Sequence, residues 1–133
     1  MEQRGSAKPT DAPLTGKRIL VAEDDFLISL ELQTILSSAG AEVVGPARTL
    51  DVALSLADQP LSAAVLDVRL GRFPIIRVAR TLTSRKIPFV FYTGQVRTDP
   101  VLAEWPEVKV ITKPTPPRVL ILELSAILDP SNL

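Results

Sequence analysis

The chain has 133 residues with 15 basic and 15 acidic side chains, no histidine and no cysteine. That length is one domain's worth and enough to bury a core, while zero net charge lacks the electrostatic footprint of a nucleic-acid binder. With neither cysteine nor histidine, disulfides, thiolate or imidazole metal sites, and an imidazole base or phosphate carrier are all excluded.

Met1 to Gly16 are polar and rich in Gly and Pro, and they read as a disordered tail with no core to bury. The stretch lacks the apolar centre of a signal peptide, and no apolar run elsewhere approaches the length of a bilayer span. The cytoplasm is therefore the expected compartment, with no membrane partner.

From Lys17 onward, short apolar runs alternate with helical patterns. "RILVA", "AEVVGPA", "AAVLD", "PFVFYT" and "VKVIT" are rich in branched and aromatic residues and mostly do not alternate with polar ones. Unbroken runs of that length fit strands of a parallel sheet covered on both faces.

Between the strands, Ile28, Leu32, Ile35, Leu36 and Ala39 share one face of a first helix that Gly40 stops. Leu50, Ala53, Leu54 and Ala57 share a face of the second, which ends at Pro60. The third buries Ile75, Val78, Ala79 and Leu82 and turns Arg77, Arg80 and Arg85 outward to solvent. Gly94 to Glu107 hold two prolines and only a brief helical stretch near Asp99–Pro100, so the fourth helix is expected to be short or missing. That segment is expected to bury little and to exchange its amides fast. The last helix, from the prolines at 116 and 117, gives Leu120, Leu124, Ile127 and Leu128 to the core. Val119, Ile121 and Leu122 are left over as a candidate partner or homodimer surface.

This order predicts one doubly wound α/β domain over 17–129, with a five-stranded parallel sheet, right-handed crossovers and a tail at 130–133. No internal repeat or second domain is evident.

In such a sheet, ligands bind at the carboxyl ends of the strands, where strand order reverses. The first strand delivers Glu23, Asp24 and Asp25 there, the third Asp67, the fourth Thr93 and the fifth Lys113 with Pro114. Crowded carboxylates repel, and a hard cation that prefers oxygen ligands, Mg²⁺, would offset the repulsion. Phosphoryl transfer needs mostly positioning and charge neutralisation. Asp67 can serve as nucleophile and form an acyl phosphate, with Lys113 and the Thr93 hydroxyl holding phosphoryl oxygens. Trp105, in a proline-bounded polar connection, reads either as a loop anchor or as a contact residue. Gly71 reads as a turn residue.

The same strand ends closely resemble the receiver domain of two-component response regulators, from Lys17 to about Leu128. The motifs are the acidic pair in "LVAEDD", the Asp ending "AAVLD", the Thr ending "FVFYT" before Gly94, and "KP" at Lys113–Pro114. The resemblance implies a flavodoxin-like (βα)5 fold with Asp67 as phosphoacceptor. It places Mg²⁺ on Glu23, Asp24, Asp67 and the backbone carbonyl of Arg69, makes Thr93 the switch hydroxyl and Lys113 the phosphate sensor, and implies a cis Lys113–Pro114 bond. Asp25 matches the acid after the metal pair and is not a primary ligand. Arg69 and Gln95 match positions that tune loss of the acyl phosphate.

Two departures stand out. Val110 occupies the place of the aromatic whose rotation usually reports phosphorylation, three residues before the lysine. "PFVFYTG" partly resembles a stand-alone subgroup with Phe-Ala-Thr-Gly and a reduced fourth helix, but has Tyr92 for Ala and Gln95–Val96 where that subgroup has Gly-Tyr.

The expected function is a stand-alone phosphorylation switch. It would be charged by a histidine kinase or phosphotransfer protein and, with no effector domain expected after Leu133, would signal by protein contact or phosphorelay. It would not be an enzyme beyond self-catalysed transfer and autodephosphorylation. A pseudo-receiver binding module is the alternative. An aspartate-nucleophile phosphohydrolase is a weaker one, because Arg69 stands where such enzymes need a second acid.

Overall fold

The computed structural model describes residues 12–94 and 99–129. Along them run β1 (Arg18–Ala22), α1 (Phe26–Ser38), β2 (Glu42–Ala47), α2 (Leu50–Leu56), β3 (Ala63–Leu66) and the two-residue strands β4 (Arg69–Leu70) and β5 (Phe73–Pro74). Then follow α3 (Ile76–Ser84), β6 (Phe89–Thr93), α4 (Pro100–Ala103), β7 (Val110–Thr112) and α5 (Pro117–Leu128). Every residue of β3 and β6 is buried, as their unbroken apolar sequences require of central parallel strands. The main sheet has the order β2-β1-β3-β6-β7 with all neighbours parallel. Strand order therefore reverses between β1 and β3, which fixes the ligand crevice at the carboxyl ends of those two strands.

Successive strand residues serve opposite faces. Ile19, Val21, Val65, Val90 and Tyr92 pack with Leu32, Leu36, Leu120 and Leu124 of α1 and α5. Leu20, Ala22, Leu66, Phe89 and Phe91 pack with Ala53, Val78, Leu82 and Leu102 of α2, α3 and α4. The apolar surplus expected on α5 is real at Leu122, which is 67% exposed; Ile121 packs partly against the α1–α5 core.

Two expectations are corrected. The tail is expected to span 1–16, but Ala12 to Gly16 belong to the folded unit. Leu14 is fully buried, and its N–H donates to the Ala39 carbonyl at 2.8 Å. A single large apolar residue in a polar stretch is enough to dock this turn against the end of α1. Gly40 lies beneath it with φ +96, and a Cβ there would come within 2.6 Å of Thr15 Oγ1. The rest of that tail, 1–11, and the tail at 130–133 lie outside the described residues.

The second correction concerns the segment around the fourth helix, which is itself short, as expected. The helix exists as a single turn, capped by Asp99, whose carboxylate accepts from the Val101 N–H at 2.9 Å, with Pro100 at its first position. The segment expected to bury little instead buries Val101, Leu102 and Trp105. Trp105 is a loop anchor. Its ring lies edge-on to Phe89 and Phe91, with centroids 6.3 Å away in each case, and its indole N–H donates to Thr83 Oγ1 at 3.0 Å. Gln95 and Val96 lie outside the described residues.

Among the described residues no helix is long and apolar enough to cross a membrane.

Candidate functional site

The chain leaves β1 at Ala22 and spends its next three residues differently. Asp25 takes extended dihedrals and caps α1, its Oδ1 accepting from the Ile28 N–H at 3.0 Å. That carboxylate is occupied as a helix cap, in keeping with its expected place outside the primary ligands. Glu23 is only 1% exposed. Its Oε2 accepts from the Asp25 N–H at 3.0 Å. Its Oε1 faces the Lys113 ammonium at 2.5 Å as an ion pair but makes no aligned hydrogen bond. Asp24 reaches the other way, Oδ2 accepting from the Gly71 N–H at 2.7 Å.

From β3, Asp67 enters the same crevice at 8% exposure, and Lys113 donates to its Oδ2 at 2.8 Å. Among the described residues no hydrogen bond occupies the other oxygen of Asp67. Lys113 follows β7, with its peptide N–H on the Thr93 carbonyl at 3.1 Å and a cis bond to Pro114. Thr93, at the end of β6, is buried. One carboxylate oxygen each from Glu23, Asp24 and Asp67 lies within 4.8 Å of the others. The fold thus brings together Glu23, Asp24, Asp67 and Lys113, with Thr93 on the adjoining strand. It does not bring the Arg69 side chain to them: that guanidinium turns to Asp99, at 3.0 and 3.4 Å.

Burial shapes the electrostatics. Removal from water pushes the Glu23 carboxyl above its usual range of about 4.5, a push that the adjoining Lys113 ammonium and the Asp25 N–H only partly counter. For Lys113, burial alone would lower the ammonium's pKa. The hydrogen bond to Asp67, the ion pair with Glu23 and the negative charge of both outweigh that and leave it raised. Tyr92, whose hydroxyl is raised mainly by burial, places its ring 5.7 Å from the Lys113 ammonium, within cation–π range.

A carboxyl raised on folding favours the native state only while protonated. Its contribution is present at acid pH and is lost as pH climbs through the raised value. Glu23→Gln should therefore stabilise the metal-free protein at pH 7 and make little difference at pH 4. Urea unfolding at the two pH values checks this, and a variant no more stable than the parent at pH 7 would count against it.

Three contributors were not legible in the sequence. Gly71, read as a turn residue, takes φ +62 in the β4–β5 turn and holds Asp24. Arg48 donates to the Asp24 backbone carbonyl at 3.3 and 3.4 Å and stands 5.2 Å from the centre of the Phe26 ring. Asp99 was visible as the acid before a helix-starting proline, but its partnership with Arg69, 30 positions away, has no local signature.

The three carboxylates fit a hard divalent cation. They converge on one side of the crevice, and the buried Glu23 Oε1 has a charge opposite it but no directed hydrogen bond.

No protein-family model matches the chain. Over 85 residues it is 33% identical to the transcriptional regulatory protein PdtaR of Mycobacterium tuberculosis, covering 62% of this chain and 42% of that one. The chain thus spans less than half the length of that curated relative. The response regulator PhyR from Brucella abortus superposes with a TM-score of 0.75 at 28% identity, over 90% of this chain and 51% of PhyR. A CheY-like receiver domain protein from Methanospirillum hungatei superposes with a TM-score of 0.77 at 24% identity, over 87% of this chain and 96% of that one. Sheet order, a crevice at the β1–β3 reversal and these neighbours agree: the chain has the receiver-domain fold of two-component response regulators.

Proposed function

We propose that the chain is a phosphorylation-dependent switch that accepts a phosphoryl group on Asp67. The observation that carries this is the contact of one strand-end carboxylate with Lys113, beside two further acids, while among the described residues no hydrogen bond takes its second oxygen. That oxygen attacks the phosphorus of a phosphohistidine on a kinase or phosphotransfer protein. The new O–P bond forms as the P–N bond breaks, and the electron pair returns to the donor imidazole. Lys113 stays on the crevice side of the acyl phosphate and balances its charge, and the Thr93 hydroxyl closes on a phosphoryl oxygen.

Glu23, Asp24, Asp67 and the Arg69 carbonyl would hold Mg²⁺, which when bound neutralises charge on the transferring group. The remaining role of this chain is to hold those ligands in place: Gly71 fixes Asp24 and the Asp25 N–H fixes Glu23. Self-catalysed transfer and autodephosphorylation are the only turnover proposed. The phosphohydrolase reading gains nothing from Arg69, because a guanidinium cannot protonate a leaving group.

The test is incubation with acetyl phosphate and Mg²⁺ followed by intact mass. One labile phosphoryl adduct is expected. Turnover of a phosphomonoester such as p-nitrophenyl phosphate would instead indicate a phosphohydrolase, and an unchanged mass a binding module that keeps the fold without the chemistry. In calorimetry, replacing Glu23 and Asp24 together by their amides should abolish Mg²⁺ binding; heats equal to the parent's would place the metal elsewhere.

Output is proposed to run through protein contact or phosphorelay. PhyR, a structural neighbour, is described as an anti-anti-sigma factor in Bartonella quintana, a role exerted on a protein partner.

A further inference from the structure

Arg69 stands two residues after Asp67 and at the start of the β4–β5 hairpin. Its Nε–H donates to Asp99 Oδ2 at 3.0 Å and its terminal nitrogen to Oδ1 at 3.4 Å, the forked arrangement that guanidinium and carboxylate favour. The Asp99 side chain is only 6% exposed while that of Arg69 is 33% exposed. The carboxylate is thus the committed partner and the guanidinium has room to leave. Asp99 is also the N-cap of α4, and the chain from that cap runs through Val101 and Leu102 to the anchor Trp105, all buried. One ion pair therefore joins the phosphoacceptor loop to the fourth helix.

We propose that the Arg69–Asp99 ion pair is a clasp that a phosphoryl group on Asp67 opens, so that phosphorylation is read at α4 and Trp105. The proposal rests on Asp67 being the phosphoacceptor. A phosphoryl group adds a charge of about −1.5 to −2 and three acceptor oxygens, and a guanidinium binds such oxygens by the same fork it offers a carboxylate. Two residues of chain span at most about 7 Å, so Arg69 can exchange Asp99 for a phosphoryl oxygen without moving its strand. Its departure leaves a nearly buried carboxylate without its counter-charge, which is costly in place. The cap, and the turn it starts, must then rearrange toward water. This supplies a route from phosphate to surface that needs no rotating aromatic on β7, where Val110 stands half-buried against the same core cluster as Trp105.

The sequence has a single tryptophan, so emission from Trp105 reports on this segment. The experiment adds Mg²⁺ and beryllofluoride to the parent, Asp99→Asn and Arg69→Gln, recording ¹⁹F NMR for the bound mimic and tryptophan emission for α4. Asn caps a helix as well as Asp, so Asp99→Asn removes the charge pair and keeps the cap. In the parent, a bound ¹⁹F resonance should come with a shift in emission. Both variants should bind the mimic and shift little on doing so: Arg69→Gln, which strands the Asp99 charge, should already emit near the parent's mimic-bound position, and Asp99→Asn, which has no charge to strand, should stay near the parent's mimic-free one. Emission that moves in both variants as in the parent, or that stays still in a parent showing bound mimic, overturns the clasp while leaving Asp67 as acceptor. A parent with no bound resonance at all refutes the acceptor reading itself. Should one variant fail to fold by circular dichroism, the other decides.

Discussion

Asp67→Asn should leave no covalent phosphoryl adduct after incubation with acetyl phosphate and Mg²⁺, read by intact mass. The expectation follows from how the other acids of the crevice are occupied. Asp25 is spent on the α1 cap. Asp24 Oδ2 is held by the Gly71 N–H, and Glu23 is buried with Oε2 on the Asp25 N–H and Oε1 against Lys113. Asp67 alone pairs an ammonium on one oxygen with a second oxygen free of hydrogen bonds among the described residues. An amide in its place has the same shape but a far weaker nucleophile. The fold should persist, since removing one of three clustered negative charges relieves repulsion. An adduct of undiminished yield in a folded Asp67→Asn variant would move the acceptor elsewhere, with Glu23 and Asp24 the first sites to map.

The sequence spoke most clearly where a residue's role is set by its position along a strand. Continuous apolar runs implied central parallel strands because burial on both faces leaves no place for alternation. Once the strands were placed, their last residues had to meet at one edge of the sheet, which is why Glu23, Asp24, Asp67, Thr93 and Lys113 could be grouped before any geometry. What stayed hidden was set by contacts across long separations or by single packing events. Nothing near Leu14 announces that it docks beside Ala39, and nothing near Trp105 says that it packs on Phe89 and Phe91. The polar, proline-bounded surroundings of Trp105 pointed to an open loop, yet one large aromatic with two buried neighbours in α4 outweighs that composition. The Arg69–Asp99 pair is of the same kind, since charge pairing over 30 residues is fixed only by the completed fold.

The largest effect on stability is expected from Lys113→Met. The Lys113 side chain is 14% exposed, and its ammonium lies 2.5 Å from Glu23, whose side chain is 1% exposed, and 2.8 Å from Asp67, whose side chain is 10% exposed. It is the cation shared by both acids. Removing one partner of a buried ion pair strands the other charge, at a typical cost of about 3–5 kcal/mol. The site opens to solvent on one side, so a loss of about 3 kcal/mol, the low end of that range, is expected in metal-free buffer at pH 7. The pH dependence has a definite sign. The parent's Lys113, raised above 10.5 by its two carboxylate partners, gives its full contribution below that value and loses it only as pH rises through the raised pKa. Across neutral pH the parent therefore keeps the ammonium's whole contribution. In the variant, Glu23 has lost the ammonium that countered its burial, so its carboxyl should rise further and the deficit should shrink as acid protonates it. Added Mg²⁺ should also recover part of the loss, because a divalent cation held by Glu23, Asp24 and Asp67 offsets the same repulsion. Urea unfolding at pH 7 and pH 5, with and without Mg²⁺, measures all three effects. A loss below about 1 kcal/mol, the scale of a surface ion pair, would show that Lys113 is not the counter-charge of this crevice. A full loss that neither acid nor Mg²⁺ relieves would show that its packing, rather than its charge, stabilises the fold.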